Sequence, residues 1–149
     1  MNPEFNSIKE ITEKLLAIMQ FDSQVEVQEE PSGLGRINIL SPEAGFLIGQ
    51  SGVNLLALQH LIKLIAMKKA VFQNFVLDVN DYQKHNLAIL QELALSKAKQ
   101  AIELKMPVIL LPMPAFERRI IHLTLADYPG VVCQSEGENE NRHIVIKPV

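Results

Sequence analysis

The stretch GFLIGQSGVNLLALQHLIKL, residues 45–64, decides how the first half of this chain is interpreted. Two glycines, Gly49 and Gly52, lie three positions apart between an apolar run and a longer segment with an apolar stripe. Glycine permits a tight turn and the close approach of another backbone, and a helix that starts after the turn presents free N–H groups to an anion. Because an isolated Gly-x-x-Gly is more often a simple turn between two helices, its surroundings must decide its meaning.

The segments around this turn predict the order helix, strand, strand, short helix, long helix, strand. An amphipathic helix is predicted over 6–20, with Ser7 as its cap. Alternating apolar residues on both sides of a turn at 31–33 predict a β-hairpin. The apolar stripe of 53–67 predicts the long helix, and β-branched and aromatic residues over 71–79 predict the final strand.

The second half predicts a different order of elements. They are a helix over 82–104, a strand over 108–111, a helix over 115–127, and strands over 131–134 and 143–147. The first of these helices is predicted to turn one apolar face to the core, formed by Leu87, Leu90, Ala94, Ala98 and Ile102. Asn80 and Asp81 break the chain between the halves, so we expect two small domains, 1–80 and 81–149.

Composition limits the class of protein. The 149 residues are 48% hydrophobic and 21% charged, and the net charge is −3. These values exclude a disordered chain and argue against a basic coat protein that holds nucleic acid by bulk charge. The single cysteine, Cys133, cannot form an intrachain disulfide and favours a cytoplasmic location. No apolar run is long enough to cross a bilayer and the N-terminus is polar, so we expect neither a transmembrane segment nor a signal peptide.

A second motif, ERRIIH at 117–122, places Arg118 and His122 four residues apart. On a helix such residues stand one above the other, and together they offer a guanidinium fork and an imidazole donor to a phosphate. The stripe predicted to pack inward is formed by Phe116, Ile120 and Leu123, which would leave the Arg and His on the opposite, outward face. An isolated Arg-x-x-x-His is usually a solvated helix face, so context again carries the interpretation.

The surroundings of both motifs resemble a known family. The second motif lies in LPMPAFERRIIHL at 111–123, followed by Pro129-Gly130-Val131, Ser135-Glu136-Gly137, Arg142 and VIKP at 145–148. This arrangement is similar to the C-terminal domain of the bacterial Jag (SpoIIIJ-associated) family, called the R-three-H domain after its Arg-x-x-x-His signature. The Gly-x-x-Gly in its order of elements resembles a type II KH domain, and 45–64 resembles the KH segment of the same family. The resemblance covers about residues 25–149.

The resemblance implies an α+β protein of two small domains. A type II KH domain (αββααβ) is expected over 1–80 and an R-three-H domain (αβαββ) over 81–149. The implied function is that of a non-enzymatic, cytoplasmic bacterial protein that binds single-stranded RNA, with single-stranded DNA as the other possible ligand. Its contacts would be mainly to the phosphate backbone, and its role would be post-transcriptional regulation. The sequence has no metal-ligand spacing such as His-x-x-x-His and no clustered carboxylates, so neither a metal nor a cofactor is predicted. For some members of the family, the resemblance implies a second small KH protein as partner.

The family's binding residues carry over to named positions of this chain. The expected KH backbone clamp comprises Gly49, Gln50, Ser51 and Gly52. Arg118 and His122 are the expected phosphate-facing pair. The supporting candidates are Arg119, Arg142 and Lys147.

The chain departs from the family pattern in ways that affect binding. The centre of the first motif is Gln50 and Ser51, where basic residues are often found, and Pro114 stands where a small polar helix cap is expected. Residues 1–80 carry 6 basic and 9 acidic side chains, whereas residues 81–149 carry 8 of each. We therefore expect Arg118 and His122 to contact phosphate more strongly than the glycine loop does.

Two alternative functions are open. The uncharged loop centre and the acidic first half are also compatible with a protein–protein adaptor or dimerisation module whose nucleic-acid binding has weakened. An enzyme using His122 as an acid or base has no supporting carboxylate or metal constellation, so no catalytic residue is predicted.

Several other reactive or aromatic residues are predicted to be structural. Cys133 is expected to be a buried, inert thiol. Asp78 and Asp81 are expected to end a strand and cap a helix rather than act as a catalytic carboxylate pair. Core or packing positions are predicted for the aromatic residues Phe72, Phe75, Phe116 and Tyr82.

Overall fold

The computed structural model describes residues 2–149. In chain order the regular elements are α1 (Pro3–Ile18), β1 (Gln24–Glu29), β2 (Gly35–Leu40), α2 (Ala44–Ile48), α3 (Val53–Lys68), β3 (Phe75–Val79), α4 (Tyr82–Leu104), β4 (Val108–Ile109), α5 (Ala115–Leu125), β5 (Val131–Glu136) and β6 (His143–Pro148), with short 3₁₀ turns at Gln50–Gly52 and Asn139–Asn141. The chain forms two compact units, one ending at Gln83 and one running from Lys84 to Val149. The predicted α+β class is confirmed.

The first unit is a three-stranded sheet covered by helices. Its strand order is β1-β2-β3, with β1 antiparallel and β3 parallel to the central β2. Because parallel neighbours need a crossover connection, α2 and α3 carry the chain from β2 to β3. Phe5 and Ile8 of α1, Ile37 and Ile39 of β2 and Ile62 of α3 are fully buried in its core. The predicted order of elements in this unit is confirmed.

Two predicted boundaries of the first unit are wrong by a few residues. The first helix begins at Pro3, because the Asn2 side chain accepts a 3.0 Å hydrogen bond from the Glu4 N–H and caps it there. Ser7 is therefore inside the helix and is not its cap. The third strand begins at Phe75 rather than at residue 71, because Ala70 has a φ of 58° and the Val71 N–H closes the end of α3 on the Ala66 carbonyl.

A fully buried carboxylate caps the first turn of α4. Asp78 Oδ1 accepts hydrogen bonds from the Val79 N–H at 2.8 Å and from the Gln83 N–H at 3.0 Å. Asn80 and Asp81 both have positive φ, 48° and 56°, and form the predicted break. Asp78 rather than Asp81 thus caps this helix, which confirms a structural role for the Asp78 carboxylate.

Replacing this cap is expected to destabilise the first unit. We expect Asp78→Ala to lower its free energy of unfolding by about 1–3 kcal/mol, because the buried Val79 N–H and the partly buried Gln83 N–H lose their acceptor. Asp78→Asn keeps one oxygen acceptor and should lose less. Urea denaturation followed by circular dichroism measures both variants. An Asp78→Ala variant as stable as the parent protein would contradict the capping role.

The second unit is an antiparallel sheet packed against two helices. The strand order is β4-β6-β5, so β6 is central and β5 lies at an edge. Ile144 and Ile146 of β6 pack with Ile121 of α5 and with the apolar face of α4. That face comprises Leu90, Ala94, Ala98 and Ala101.

The predicted core face of α4 is wrong at two positions. Leu87 and Ile102 are 41% and 40% exposed, whereas Ala101 is fully buried. At 100° per residue Ala101 lies about 20° around the helix from Leu90, whereas Ile102 lies about 120° away. The small side chains of the alanine row take the inward face.

The predicted inward stripe of α5 is also wrong. Phe116 and Leu123 are exposed and Ile120 is only partly buried, whereas Glu117, Ile121 and Leu125 form the buried row. Ile121 and Leu125 pack into the core of the unit, and the Asn86 side-chain amide donates a 3.3 Å hydrogen bond to the Glu117 carboxylate. Because the buried Glu117 carboxylate has a hydrogen-bond partner, α5 can bury the face that contains it instead of the face predicted from the apolar residues.

Among residues 2–149, no helix combines the length and the apolar character that crossing a membrane requires.

Candidate nucleic-acid interface

The Gly-x-x-Gly loop joins α2 to α3 with a backbone that two glycines make possible. Gly49 and Gly52 have φ values of 70° and 79°, in the region that favours glycine. A Cβ on Gly49 would lie 2.6 Å from the Asn54 side chain, and one on Gly52 would lie 3.3 Å from the Tyr82 ring. Both glycines are therefore required by the fold of this loop, apart from any ligand.

A side chain of α3 holds the loop closed. The Asn54 side-chain amide donates a 2.9 Å hydrogen bond to the Phe46 carbonyl, which belongs to α2. The Gly49 N–H donates to the Gly45 carbonyl at 3.0 Å and ends α2. The loop is thus tied to both helices that flank it.

The centre of the loop is open to solvent and uncharged. Gln50 is exposed, and Ser51 is partly buried in a left-handed conformation with a φ of 53°. Gly52 is the N-cap of the 16-residue α3 and supplies no side-chain cap, and the first turn of α3 has no acidic residue. The first N–H groups of α3 therefore have no competing side-chain acceptor, an arrangement that favours an anion.

An apolar groove of about 290 Å³ adjoins the loop. Its lining includes Met19, Phe21, Phe46, Leu47, Leu58 and Leu61. Phe46, three residues before Gly49, is 73% exposed and gives the groove an aromatic ring. The groove is large enough for an unstacked base, and its ring offers a π-face for stacking.

The predicted core positions of the aromatic residues are only partly right. Phe75 is buried in the first core and Tyr82 packs against that core. Phe72 is 71% exposed and Phe116 is also exposed, so those two predictions are wrong. Phe72 lies within the predicted strand 71–79 but before the observed strand, which begins at Phe75. The alternation of buried and exposed side chains along a strand therefore does not apply to Phe72.

Arg118 is anchored to the backbone by one edge of its guanidinium group. Its Nη1 donates a 2.7 Å hydrogen bond to the Met113 carbonyl, and the residue is partly buried. In position along α5 it neighbours the buried Glu117, so it lies beside the buried row rather than opposite it. This anchor limits the motion of a long side chain while leaving further N–H donors for a ligand.

His122 projects from α5 toward the edge strand β5. Its Nδ1 lies 3.4 Å from Cys133 Sγ, and the imidazole is otherwise exposed. Cys133 is partly buried, and burial raises the pKa of its thiol. The predicted burial of the thiol is thus confirmed in part, although the sequence did not indicate its contact with His122.

Arg142 joins the same region through two further hydrogen bonds. Its Nε donates to Ser135 Oγ at 2.9 Å, and its carbonyl accepts from the Met113 N–H at 3.3 Å. Since Met113 also accepts from Arg118, the two arginines share one connecting residue. Ser135 and Cys133 lie two residues apart on β5, and alternate residues of a strand point to the same face. Arg118, His122 and Arg142 therefore belong to one contiguous region, which we call the Arg-His surface.

The other two supporting candidates occupy different positions. The side chain of Arg119 is exposed and makes no hydrogen bond or ion pair with any of residues 2–149. Lys147 donates to the side chains of Gln134 and Glu136 at 2.8 and 2.9 Å. Those two residues alternate with Cys133 and Ser135 along β5, so Lys147 lies on the other face of the sheet. The structure does not bring Lys147 to the Arg-His surface.

The described chain holds no group of three or more His, Cys, Asp or Glu side chains placed to bind a metal ion.

Comparison with known proteins finds one domain family and several curated relatives that this chain is similar to. The family model of the R-three-H domain matches residues 88–148. Three curated relatives are each named RNA-binding protein KhpB. The Bacillus subtilis protein is 37% identical over 127 residues, which cover 83% of this chain and 61% of the relative. The Lactiplantibacillus plantarum protein is 39% identical over 111 residues, which cover 74% of this chain and 34% of the relative. The Clostridium symbiosum protein is 34% identical over 129 residues, which cover 86% of this chain and 58% of the relative.

This chain therefore spans between about a third and three fifths of the length of these relatives. The matched range includes Arg118, His122 and Arg142. Residues 88–148 are an R-three-H domain, and the resemblance of this chain to the Jag family is confirmed.

Proposed function

We propose that this protein binds single-stranded RNA through the phosphate backbone and leaves the RNA uncleaved. The observation that carries the proposal is the Arg-His surface, where an anchored guanidinium group, an exposed imidazole and a second arginine lie in one contiguous region. Guanidinium and imidazole N–H groups are strong donors to phosphate oxygens. The names of the relatives, RNA-binding proteins of the same domain family, support the choice of RNA.

We further propose that the first unit is a type II KH domain that provides a second, weaker contact. This assignment is supported by the αββααβ order and by the Gly-x-x-Gly loop between its two adjacent helices. Gly49, Gln50, Ser51 and Gly52 would meet the sugar-phosphate backbone, and the groove beside Phe46 would receive a base. The weaker rank follows from charge, since this loop has no cation whereas the Arg-His surface has at least two.

Arg119 and Lys147 are proposed as peripheral contacts. Arg119 is adjacent to Arg118 in α5 and is free to follow a phosphate, whereas Lys147 would first have to leave Glu136, its partner in an exposed ion pair. Exposed pairs of this kind contribute about 0–1 kcal/mol, so such a release costs little.

The partner and the location stay predictions. A second small KH protein as partner is supported by α3, which exposes the large apolar side chains Val53, Leu56, Leu64 and Met67. A helix with apolar residues on its outer side favours burial against another chain. The cytoplasmic location rests on the single cysteine, and a role in post-transcriptional regulation rests on the family resemblance.

Binding is expected to weaken steeply with salt. If about two to four phosphates are neutralised, the logarithm of the association constant should fall with the logarithm of salt concentration at a slope of about −1.4 to −2.8. Fluorescence anisotropy with a labelled oligouridine, between about 50 and 200 mM salt, measures this slope. Gel analysis of the RNA recovered afterwards tests whether it stays intact.

A matched oligodeoxyuridine and a double-stranded RNA of the same length are the controls. Equal affinity for the deoxy strand would extend the proposal to single-stranded DNA. An absence of RNA binding even at the lowest salt would refute the proposed function and favour a protein adaptor.

A further inference from the structure

The contact between His122 and Cys133 distinguishes the two nitrogens of the imidazole. Nδ1 lies 3.4 Å from Cys133 Sγ. Nε2, on the other side of the ring, makes no hydrogen bond to any side chain or backbone group in the described part of the chain. Only one of the two nitrogens is therefore available to a ligand, and which nitrogen carries the proton depends on the contact at Nδ1.

We infer that Cys133 is a positioning residue for RNA binding, whose thiol donates a hydrogen bond to His122 Nδ1 and so keeps the proton of the neutral imidazole on Nε2, facing the phosphate. The inference deepens the proposed function and rests on it. Neither the match to the domain family nor the names of the relatives assigns any role to Cys133.

The direction of this hydrogen bond follows from the chemistry of the two atoms. An unprotonated imidazole nitrogen is a good acceptor, whereas a thiol sulfur is a weak one. Burial raises the pKa of the Cys133 thiol, so the S–H proton is retained at neutral pH. The pair therefore favours S–H donating to Nδ1 over Nδ1–H donating to sulfur.

The strand pairing of β5 holds the sulfur in place. Cys133 lies opposite Ile146 of the central strand β6, and Ile146 is fully buried in the core. Residues directly opposite in an antiparallel pair share a face of the sheet, so the Cys133 side chain is directed to the helix side where His122 lies. An exposed histidine without this contact would lose rotamer freedom on binding, and that loss weakens binding.

The position of the proton decides whether the His122 imidazole attracts or repels an RNA phosphate. With the proton on Nε2, the ring offers an N–H donor to a phosphate oxygen. With the proton on Nδ1, Nε2 would present a lone pair to the phosphate, whose oxygens are all acceptors. Arg118 and Arg142 contact phosphate as donors in either case, so an effect at Cys133 should be moderate and specific to His122.

The test combines NMR of the imidazole with RNA titration on the full chain. Long-range ¹H–¹⁵N correlation spectra at about pH 8, where an ordinary imidazole is neutral, distinguish the two tautomers of His122. The variants are Cys133→Ala, which removes the donor, and Cys133→Ser, which restores a donor of similar size. We expect the Nε2–H tautomer in the parent protein and in Cys133→Ser, and a mixture of tautomers in Cys133→Ala.

The RNA titration should follow the same order. Cys133→Ala is expected to lower the affinity for the labelled oligouridine about two- to tenfold, because one hydrogen bond is lost. Cys133→Ser should restore most of that affinity. Thermal unfolding of each variant checks that the second unit remains folded. A merely structural role for Cys133 would leave the tautomer of a folded Cys133→Ala variant unchanged.

The two readouts separate the inference from the proposed function. An Nδ1–H tautomer in the parent protein, or an unchanged tautomer in Cys133→Ala, would overturn the inference even if RNA binds. The expected tautomers in a protein that binds no RNA would overturn the function in RNA binding, while the Cys133–His122 hydrogen bond itself would stand.

Discussion

Arg118→Ala is expected to lower the affinity for single-stranded RNA by about ten- to a hundredfold, the largest effect of any single substitution in the second unit. The variant removes a guanidinium group that the Met113 carbonyl already holds in place at 2.7 Å. Because that anchor reduces the side chain's freedom before RNA arrives, less entropy is lost on binding than for a free arginine. The measurement is the same anisotropy titration at low salt, and the salt slope should become shallower by about 0.7.

Arg119→Ala is the matched control, since it removes the same charge from the adjacent position. The side chain of Arg119 is exposed and makes no hydrogen bond or ion pair within residues 2–149, so its loss should lower the RNA affinity only about twofold. Arg118→Lys keeps the charge and loses the fork, and we expect an intermediate affinity. Equal losses for Arg118→Ala and Arg119→Ala would show that bulk charge rather than the Arg-His surface accounts for binding.

The second large effect is expected from two negative charges at the glycine loop. The double variant Gln50→Asp, Ser51→Asp should lower RNA affinity by about tenfold or more, because both carboxylates would face the phosphate that the loop and the first N–H groups of α3 are proposed to bind. The same affinity titration measures the loss.

Gln50→Asn, Ser51→Asn is its neutral control, with side chains of nearly the same shape. Asn and Asp both tolerate the left-handed conformation of Ser51, whose φ is 53°. Carboxylates just before α3 also suit the helix dipole, so the acidic variant should unfold no more easily than the neutral one. Retention of full affinity by the acidic variant would remove the loop from the binding site and leave the Arg-His surface as the RNA contact.

Local patterns in the sequence predicted most of the secondary structure. The bounds of α4 match the predicted 82–104, and α3 ends one residue beyond the predicted 53–67. Helix and strand periods, and the breaks at Asn80-Asp81 and Pro107, are properties of neighbouring residues, so they are present in the sequence itself. The start of α1 was predicted three residues too late, since its side-chain cap, Asn2, depends on one hydrogen bond rather than on a pattern.

The sequence also contained both motifs and the family resemblance, but not the contacts of their residues. The anchor of Arg118 on Met113 spans five residues, whereas Cys133 and His122 lie eleven residues apart and meet because β5 packs beside α5. The periodic spacing of residues in the sequence does not indicate such a contact. The available signal for the contact was the thiol of Cys133 in the strand that follows α5. That signal indicates a contact with His122 only once the strand register is known.

The sequence by itself determined the α+β class, the order of elements and the presence of the Gly-x-x-Gly and Arg-x-x-x-His motifs, because each depends on the spacing and type of nearby residues. The tertiary structure alone decided which face of α5 is buried, that Arg142 joins Arg118 and His122, and that Lys147 lies on the other face of the sheet. The physical reason is that burial and strand pairing are set between segments distant in the chain. Glu117 shows this most clearly: Asn86, 31 residues away, satisfies its carboxylate and so lets a charged residue occupy the inward row of the helix that carries the Arg-His surface.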